Sequence, residues 1–281
     1  MIATIERHLS LYFKQKASIF FSLLGALIAF FLYIIFLQKN LVLSWEKSFT
    51  DPKPYLDFWI MGGVLAVTAI TTSWAALSRI VSDKEQSVWD DLLLTDVSPL
   101  SLTIGYFLSG TLISLIMQGL VFVIMFTYFS WQDQLEWQVN FLPELAFIAL
   151  LASLQASLFA TIILQFVHSS EVESRLSTII GTASGFLVGV YMPIGVLPDF
   201  AQTLVKLTPA TYIASLYRQV MMKELLVDLG MANADFKTFM GIGLKWDKLT
   251  TISQDYHIVF MTIIGMLFFL VLLIVIRKEK A

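Results

Sequence analysis

Cysteine is absent from this 281-residue chain, histidine occurs only at His8, His168 and His257, and charged residues make up 14% of it. No thiol is available for catalysis, for a metal site or for a disulfide. His168 stands near Glu171 and Glu173 in a short polar segment, but the other two histidines are remote from it, so a solvated loop accounts for that segment better than a metal site does. There is no Gly-x-x-x-x-Gly-Lys-Ser/Thr, and no Gly-Lys pair at all, so the chain has no P-loop with which to hydrolyse ATP. A net charge of −3 leaves no electrostatic footprint for nucleic acid. Charge is also missing where it would cost most: no long apolar run has a charged residue at its centre, and Asp57 and Glu144 stand only at run ends. A charge at the bilayer centre costs at least about 2.5–3.5 kcal/mol and survives there mainly where function needs it. The expectation is a membrane-embedded part with no ion-coupling carboxylate, no voltage sensor and no buried ion pair.

What the chain does contain is apolar sequence, with hydrophobic residues making up 57% of it. Six runs stand out: Ser18–Leu37, Phe58–Leu77, Leu100–Phe129, Leu142–Val167, Thr178–Leu197 and Ile258–Ile276. Each approaches or exceeds the ~20 residues that a helix needs to cross a hydrocarbon core. The composition predicts an all-α polytopic membrane protein, one domain over residues 1–281, with six transmembrane helices. The first run follows Arg7, Lys14 and Lys16 but is too long for a signal sequence, and no small-x-small cleavage site follows it, so it reads as an uncleaved span.

Orientation follows from Lys and Arg. With the N-terminus inside, the short inner segments carry Arg7, Lys14, Lys16, Arg79, Lys84, Arg175, Arg277, Lys278 and Lys280, against Lys39, Lys47 and Lys53 in the short outer loops. Both termini are expected in the cytoplasm, in a plasma membrane of bacterial type. Trp45, Trp59, Trp131 and Trp137 fall near the outer boundary, where an aromatic belt belongs.

Residues 2–16 space Ile2, Ile5, Leu9, Tyr12 and Phe13 along one helical face, with Glu6, Arg7, Ser10 and Lys14 between them. This predicts an interfacial helix on the inner leaflet, the alternative being the cytoplasmic turns of a longer first span. Between the second and third runs, Val88, Trp89, Leu92 and Leu93 share a helical face, and Ser98-Pro99 supplies an N-cap and first-turn proline for the next helix. That short helix either packs on lipid headgroups or docks into a groove of a soluble partner. The fifth run carries Gly181, Gly185 and Gly189 at four-residue spacing, a ridge for packing within the subunit, for a second subunit or for a pathway wall. It ends in Pro193-Ile194-Gly195-Val196-Leu197-Pro198, which no regular helix accommodates. Phe200–Leu207 and a helix opening at Thr208-Pro209 and closing near Gly230 are too short to span, and they predict a re-entrant pair at the outer surface, residues 198–256 with a polar extension from 231.

These features together resemble the permease subunit of an ABC transporter of the ABC-2 type, over essentially the whole chain. The order is similar: interfacial helix, six spans, and an outer helical hairpin before the last of them. The loop Lys84-Glu85-Gln86-Ser87-Val88-Trp89-Asp90-Asp91-Leu92-Leu93-Leu94-Thr95-Asp96-Val97-Ser98 is similar to the family's charged stretch ending in Leu-Leu-x-Thr-Pro-x-Ser, with Gln86-Ser87 for the usual Gly-Thr and Asp96 for the proline. Pro193–Pro198, then Leu207-Thr208-Pro209-Ala210-Thr211-Tyr212 and Arg218, are similar to the family's proline-rich exit, its Asn-Pro-x-x-Tyr step and its following arginine, with Thr208 for the asparagine.

The resemblance implies a coupling helix over 83–97 that meets a separate ATPase through Glu85, Val88, Trp89, Leu92 and Leu93. It implies two ATPase copies, which hold the ATP and magnesium, and a second permease copy, identical or not, with Gly181, Gly185 and Gly189 at the dimer or pathway. Pro193, Pro198, Phe200, Leu204, Pro209 and Tyr212 are expected to form an extracellular gate. The chain itself then needs no cofactor and is no enzyme. The expected cargo is a drug, peptide or lipid, as in multidrug export, with a polysaccharide or teichoic-acid polymer as the nearest alternative. A membrane-integral enzyme lacks a nucleophile–base pair or metal cluster, and an ion-coupled carrier lacks the usual carboxylates, although Ser, Thr and backbone oxygens suit sodium.

Overall fold

Helix α1 (Ile2–Lys14) lies across the bundle end, and its Thr4, His8 and Tyr12 are buried while Ile2 and Phe13 stay exposed. It comes close to the third long helix at Gly105, where a Cβ would lie 3.0 Å from the Thr4 side chain. The computed structural model describes residues 2–46, 49–95, 97–135, 139–227 and 232–278. Lys47, Asp96, Trp137, Gly230 and Lys280 lie outside these described residues.

After α1 come α2 (Lys16–Trp45), with one π turn over Tyr33–Leu37, and α3 (Lys53–Glu85), slightly broken at Ser78. A short α4 (Val88–Leu93) leads to α5 (Pro99–Gln132), α6 (Leu142–Leu164) and α7 (Ser170–Leu187). The hairpin α8 (Asp199–Leu207) and α9 (Pro209–Met221), then α10 (Ala232–Met240) and α11 (Ile252–Lys278), complete the chain. Among the described residues the one extended pairing is an isolated bridge between Lys245 and Leu249. The α5 start is as the sequence predicts: the Ser98 hydroxyl accepts from the Ser101 N–H at 3.2 Å, and Pro99 opens the first turn.

Among the described residues five helices are long and apolar enough to cross a membrane: α2, α3, α5, α6 and α11. Their burial follows residue size. α3 carries Gly62, Gly63, Ala66, Ala69 and Ala76 and is packed around by α2, α5, α6, α7 and α9, because small side chains let neighbouring backbones approach. α11 carries Phe268, Phe269, Leu272 and other large residues, exposes most of its surface, and lies at the periphery. Trp59, assigned above to an outer belt, is fully buried, and its indole donates to the Met240 carbonyl at 2.7 Å. Trp131 is 78% exposed, as a belt residue would be.

The fifth apolar run does not form the helix expected over Thr178–Leu197. α7 begins at Ser170, capped by the Ser169 hydroxyl, and stops at Leu187. Gly189 takes φ +67°, left-handed backbone that glycine adopts without strain, and Pro193 follows in an extended conformation. The helix that opens at Pro209 likewise ends at Met221, nine residues before Gly230. The polar extension is ordered by α10 and by left-handed turns at Gly241 and Gly243.

Candidate functional site

One end of the bundle is organised by Asp83, which α3 carries past the point where the sequence ended its second span. Asp83 is fully buried, and Arg7 of α1 donates to its Oδ2 at 2.8 Å. Arg79, one turn earlier, sits 2.7 Å from Oδ1, and the Tyr106 hydroxyl of α5 donates to Oδ2 at 2.5 Å. This ion-pair cluster lies outside the six apolar runs, in segments that the sequence assigns to the inner side. Helix α3 continues unbroken enough to bring an acid inside, where two guanidiniums and a phenol compensate its lost hydration.

His8 packs edge-on against the Tyr106 ring, with centroids 4.3 Å apart, and its Nδ1 lies 2.8 Å from the Ser109 hydroxyl. Ser109 donates its own proton to the Tyr106 carbonyl, so Nδ1 carries the imidazole hydrogen and Nε2 keeps a lone pair. Burial pushes the His8 pKa down to about 4, helped by Arg7 and Arg79 and opposed by Asp83. A depressed histidine pKa means that the unfolded chain binds more protons between about pH 6.5 and 4. Stability from this group is complete above 6.5 and is lost on acidification, by about 3 kcal/mol at the lower limit. Thermal melts of the detergent-solubilised protein should fall across this window, and His8→Asn should flatten the slope. An identical slope in that variant would show that His8 contributes nothing to it.

Tyr106 also carries α4. Trp89 stacks on it with centroids 5.6 Å apart and planes at 23°, and the Lys84 ammonium lies 5.5 Å from the Trp89 ring. Leu92 and Leu93 pack with Trp89 against the cluster of Leu77, Ile80, Leu102 and Leu164. The apolar face named from the sequence thus turns into this chain. Facing outward are Asp90, Asp91 and Leu94, the last 83% exposed. Ser87 holds φ +59°, a left-handed turn that costs a serine roughly 1 kcal/mol and a glycine almost nothing. Glu85 accepts from the Ser170 backbone and hydroxyl at the start of α7, and Trp74 donates to Glu173 at 2.9 Å, so α3, α4 and α7 share one corner.

At the opposite end α9 is held by Arg218, which is fully buried. Its guanidinium donates to the carbonyls of Gly189 (2.9 Å) and Trp59 (3.2 Å), with Val188, Met240 and Gly241 at 3.4 Å. Four of these carbonyls, Val188, Gly189, Met240 and Gly241, stand at the C-terminal ends of α7 and α10, where the helix dipole favours a cation, while that of Trp59 lies in the second turn of α3. Gly62 and Gly63 make the space: a Cβ on Gly63 would lie 2.8 Å from the guanidinium. Ser215 and Gln219 of the same helix donate to buried Asp255 at 2.6 and 2.7 Å, and Tyr217 donates to Gln118 at 2.6 Å.

The expected gate residues divide between two environments. Tyr212 is buried, donates to the Lys206 carbonyl at 2.9 Å and accepts from the Trp246 indole. Pro193 is buried at the turn and Pro209 opens α9, whereas Pro198, Phe200 and Leu204 face outward on α8. The glycine ridge divides too. A Cβ on Gly185 would strike the Tyr191 ring at 2.2 Å and one on Gly189 would meet Ile194 at 2.8 Å, so both serve the turn of their own chain, while Gly181 faces open space. Among the described residues no group of acids and histidines has metal-ligand geometry. Sequence reasoning missed Arg7, Asp83 and Tyr106; the one local hint was the i, i+4 spacing of Arg79 and Asp83.

The profile of the family described as ABC-2 type transporter matches residues 1–222, from α1 to the end of α9. No curated protein and no solved structure matches the chain.

Proposed function

This chain belongs to the ABC-2 type transporter family, and on that premise we propose that it is the permease subunit of an exporter driven by ATP hydrolysis on a separate subunit. The family implies association with an ABC ATPase, and the chain is a multi-pass membrane protein. In this reading two ATPase copies serve two permeases. Helix α7 is the sixth crossing element, both termini are cytoplasmic, and the cargo is hydrophobic or amphiphilic. The single observation that carries the reading is α4: a short helix fixed from beneath by the Trp89–Tyr106 stack, with Asp90, Asp91 and Leu94 presented outward.

That surface fits a groove with an apolar floor and a basic rim. Trp89, Leu92 and Leu93 act as the pedestal, and Leu94 is the inserted anchor. Losing such an anchor costs about 2 kcal/mol or more, a weakening of roughly thirtyfold. Leu94→Glu should therefore abolish ATPase stimulation in reconstituted complexes while leaving the melting temperature of the permease unchanged. Trp89→Ala should lower both. Full stimulation by Leu94→Glu would remove α4 from the docking role. At the outer end, the exposed α7 residues Ile179, Thr182 and Phe186 and the outward edge of α8 at Phe200 and Leu204 are assigned to the second copy and the gate. In this reading α9 stays fixed and α8 is the moving limb.

A further inference from the structure

Directly beneath the tip of the α8–α9 hairpin lies a cavity of about 150 Å³, walled by mid-helix residues of α3, α6, α7 and α11. Small side chains create it: Ala66 and Ala69, Ala152 and Ala156, and Ala183 face one another, while Thr208, Pro209 and Ala210 at the hairpin tip form its roof. Facing alanines would normally let helices close together. Here the hairpin tip meets the same wall, with Thr208, Pro209 and Ala210 lining the space beside these alanines.

The wall is almost wholly apolar, and its few polar side chains are each engaged within the protein. The Gln155 carboxamide donates to Thr262 at 2.7 Å, Ser184 to the Gly181 carbonyl at 3.0 Å, and Thr208 to the Leu204 carbonyl at 2.9 Å. Pro209 has no N–H to give. The mouth is rimmed by Phe159, which is 39% exposed, with half-buried Ile180 and Met266. It opens beside the outward face of α11, where Ile264, Leu267 and Phe268 are exposed, a surface suited only to hydrocarbon. Water here finds fewer polar partners than the two to four it needs, and an empty space of this size forfeits contact along its whole lining.

We propose that the cavity is a binding site for one acyl chain of a bilayer phospholipid, inserted sideways past Phe159 and supporting the re-entrant tip from below. The chemistry it selects is an unsubstituted hydrocarbon chain, because a polar group on that chain would be stranded. Occupancy couples the hairpin to the bilayer: with the chain present the tip rests on a filled layer, and without it Pro209 overhangs a void.

The test needs no ATPase and no known cargo, so its result is independent of the transport reading. Full-length protein is placed in nanodiscs of phospholipid bearing a mid-chain diazirine, irradiated, and mapped by mass spectrometry. Adducts are expected on residues 152–159 and 180–187 as well as on the exposed face of α11. Ala156→Phe, which fills the cavity, should reduce the first two at least tenfold and leave α11 labelling intact. Ala183→Leu is the milder filling variant, to be used where Ala156→Phe fails to give monodisperse protein. Native mass spectrometry of the wild-type chain should retain one phospholipid that the filled variant loses. Unchanged adducts in a filled, folded variant would overturn the assignment, as would a wild-type protein labelled only on α11. A retained mass that is not a phospholipid would overturn it as well.

Discussion

Asp83→Ala is expected to be the most damaging single change in this protein, lowering stability by about 3–5 kcal/mol and abolishing ATPase-coupled transport. The acid is fully buried, whereas Arg7 and Arg79 keep partial contact with solvent. Removing it leaves two guanidiniums facing one another and the Tyr106 hydroxyl without its acceptor, and breaking a buried pair from one side costs about 3–5 kcal/mol. The functional loss follows from position. Tyr106 holds Asp83 on one edge and carries Trp89 on its face, so a displaced phenol displaces α4. Thermal melts and ATPase stimulation should fall together. Arg7→Gln combined with Asp83→Asn should cost less than the sum of the two single changes, because the pair is removed as a unit. Additive losses in that cycle, or wild-type coupling in Asp83→Ala, would separate the ion pair from α4.

Replacing Arg218 is expected to cost about 2–4 kcal/mol, even though a buried cation with no acid partner looks like a liability. Four of its five carbonyl partners stand at the ends of α7 and α10, and each buried acceptor left unpaired costs about 1–3 kcal/mol. Desolvation of the guanidinium offsets part of that. Arg218→Met, matched in length and free of charge, isolates the sign. The expected result is a lower melting temperature, with proteolysis opening first around the α9–α10 segment. A Met variant as stable as the wild type would mean that the five carbonyls contribute nothing net. Arg218→Lys should fall between the two, since an ammonium offers three donors and no planar fork.

The parts of this structure that sequence reasoning found are those with a local physical signal. α1 shows its amphipathic spacing, α5 begins at a serine–proline pair, and the hairpin begins where Pro193 and Pro198 forbid helix. Trp89, Leu92 and Leu93 share a face in both readings, yet the pattern could not say which body that face meets; Tyr106, seventeen residues away, decides it. Asp83 and Arg7 are 76 residues apart and Arg218 is 159 from Trp59, and no window of hydropathy contains such pairs. α7 is shorter than its hydropathy predicts because apolarity persists through Val188 and Val190 while helical geometry does not. Gly189 and Pro193 set the end there, and their backbone demands override hydropathy.

The π turn over Tyr33–Leu37 has a consequence for how α2 meets the bundle. Tyr33 and Leu41 are both buried, yet eight residues of regular helix would rotate the second away from the first by about 80°. One wide turn takes up a residue without the usual advance in angle and restores the phase. Length and facing are thereby uncoupled: the helix reaches one residue farther toward the Lys53 end, and its upper half still addresses α3 with the side that the lower half uses.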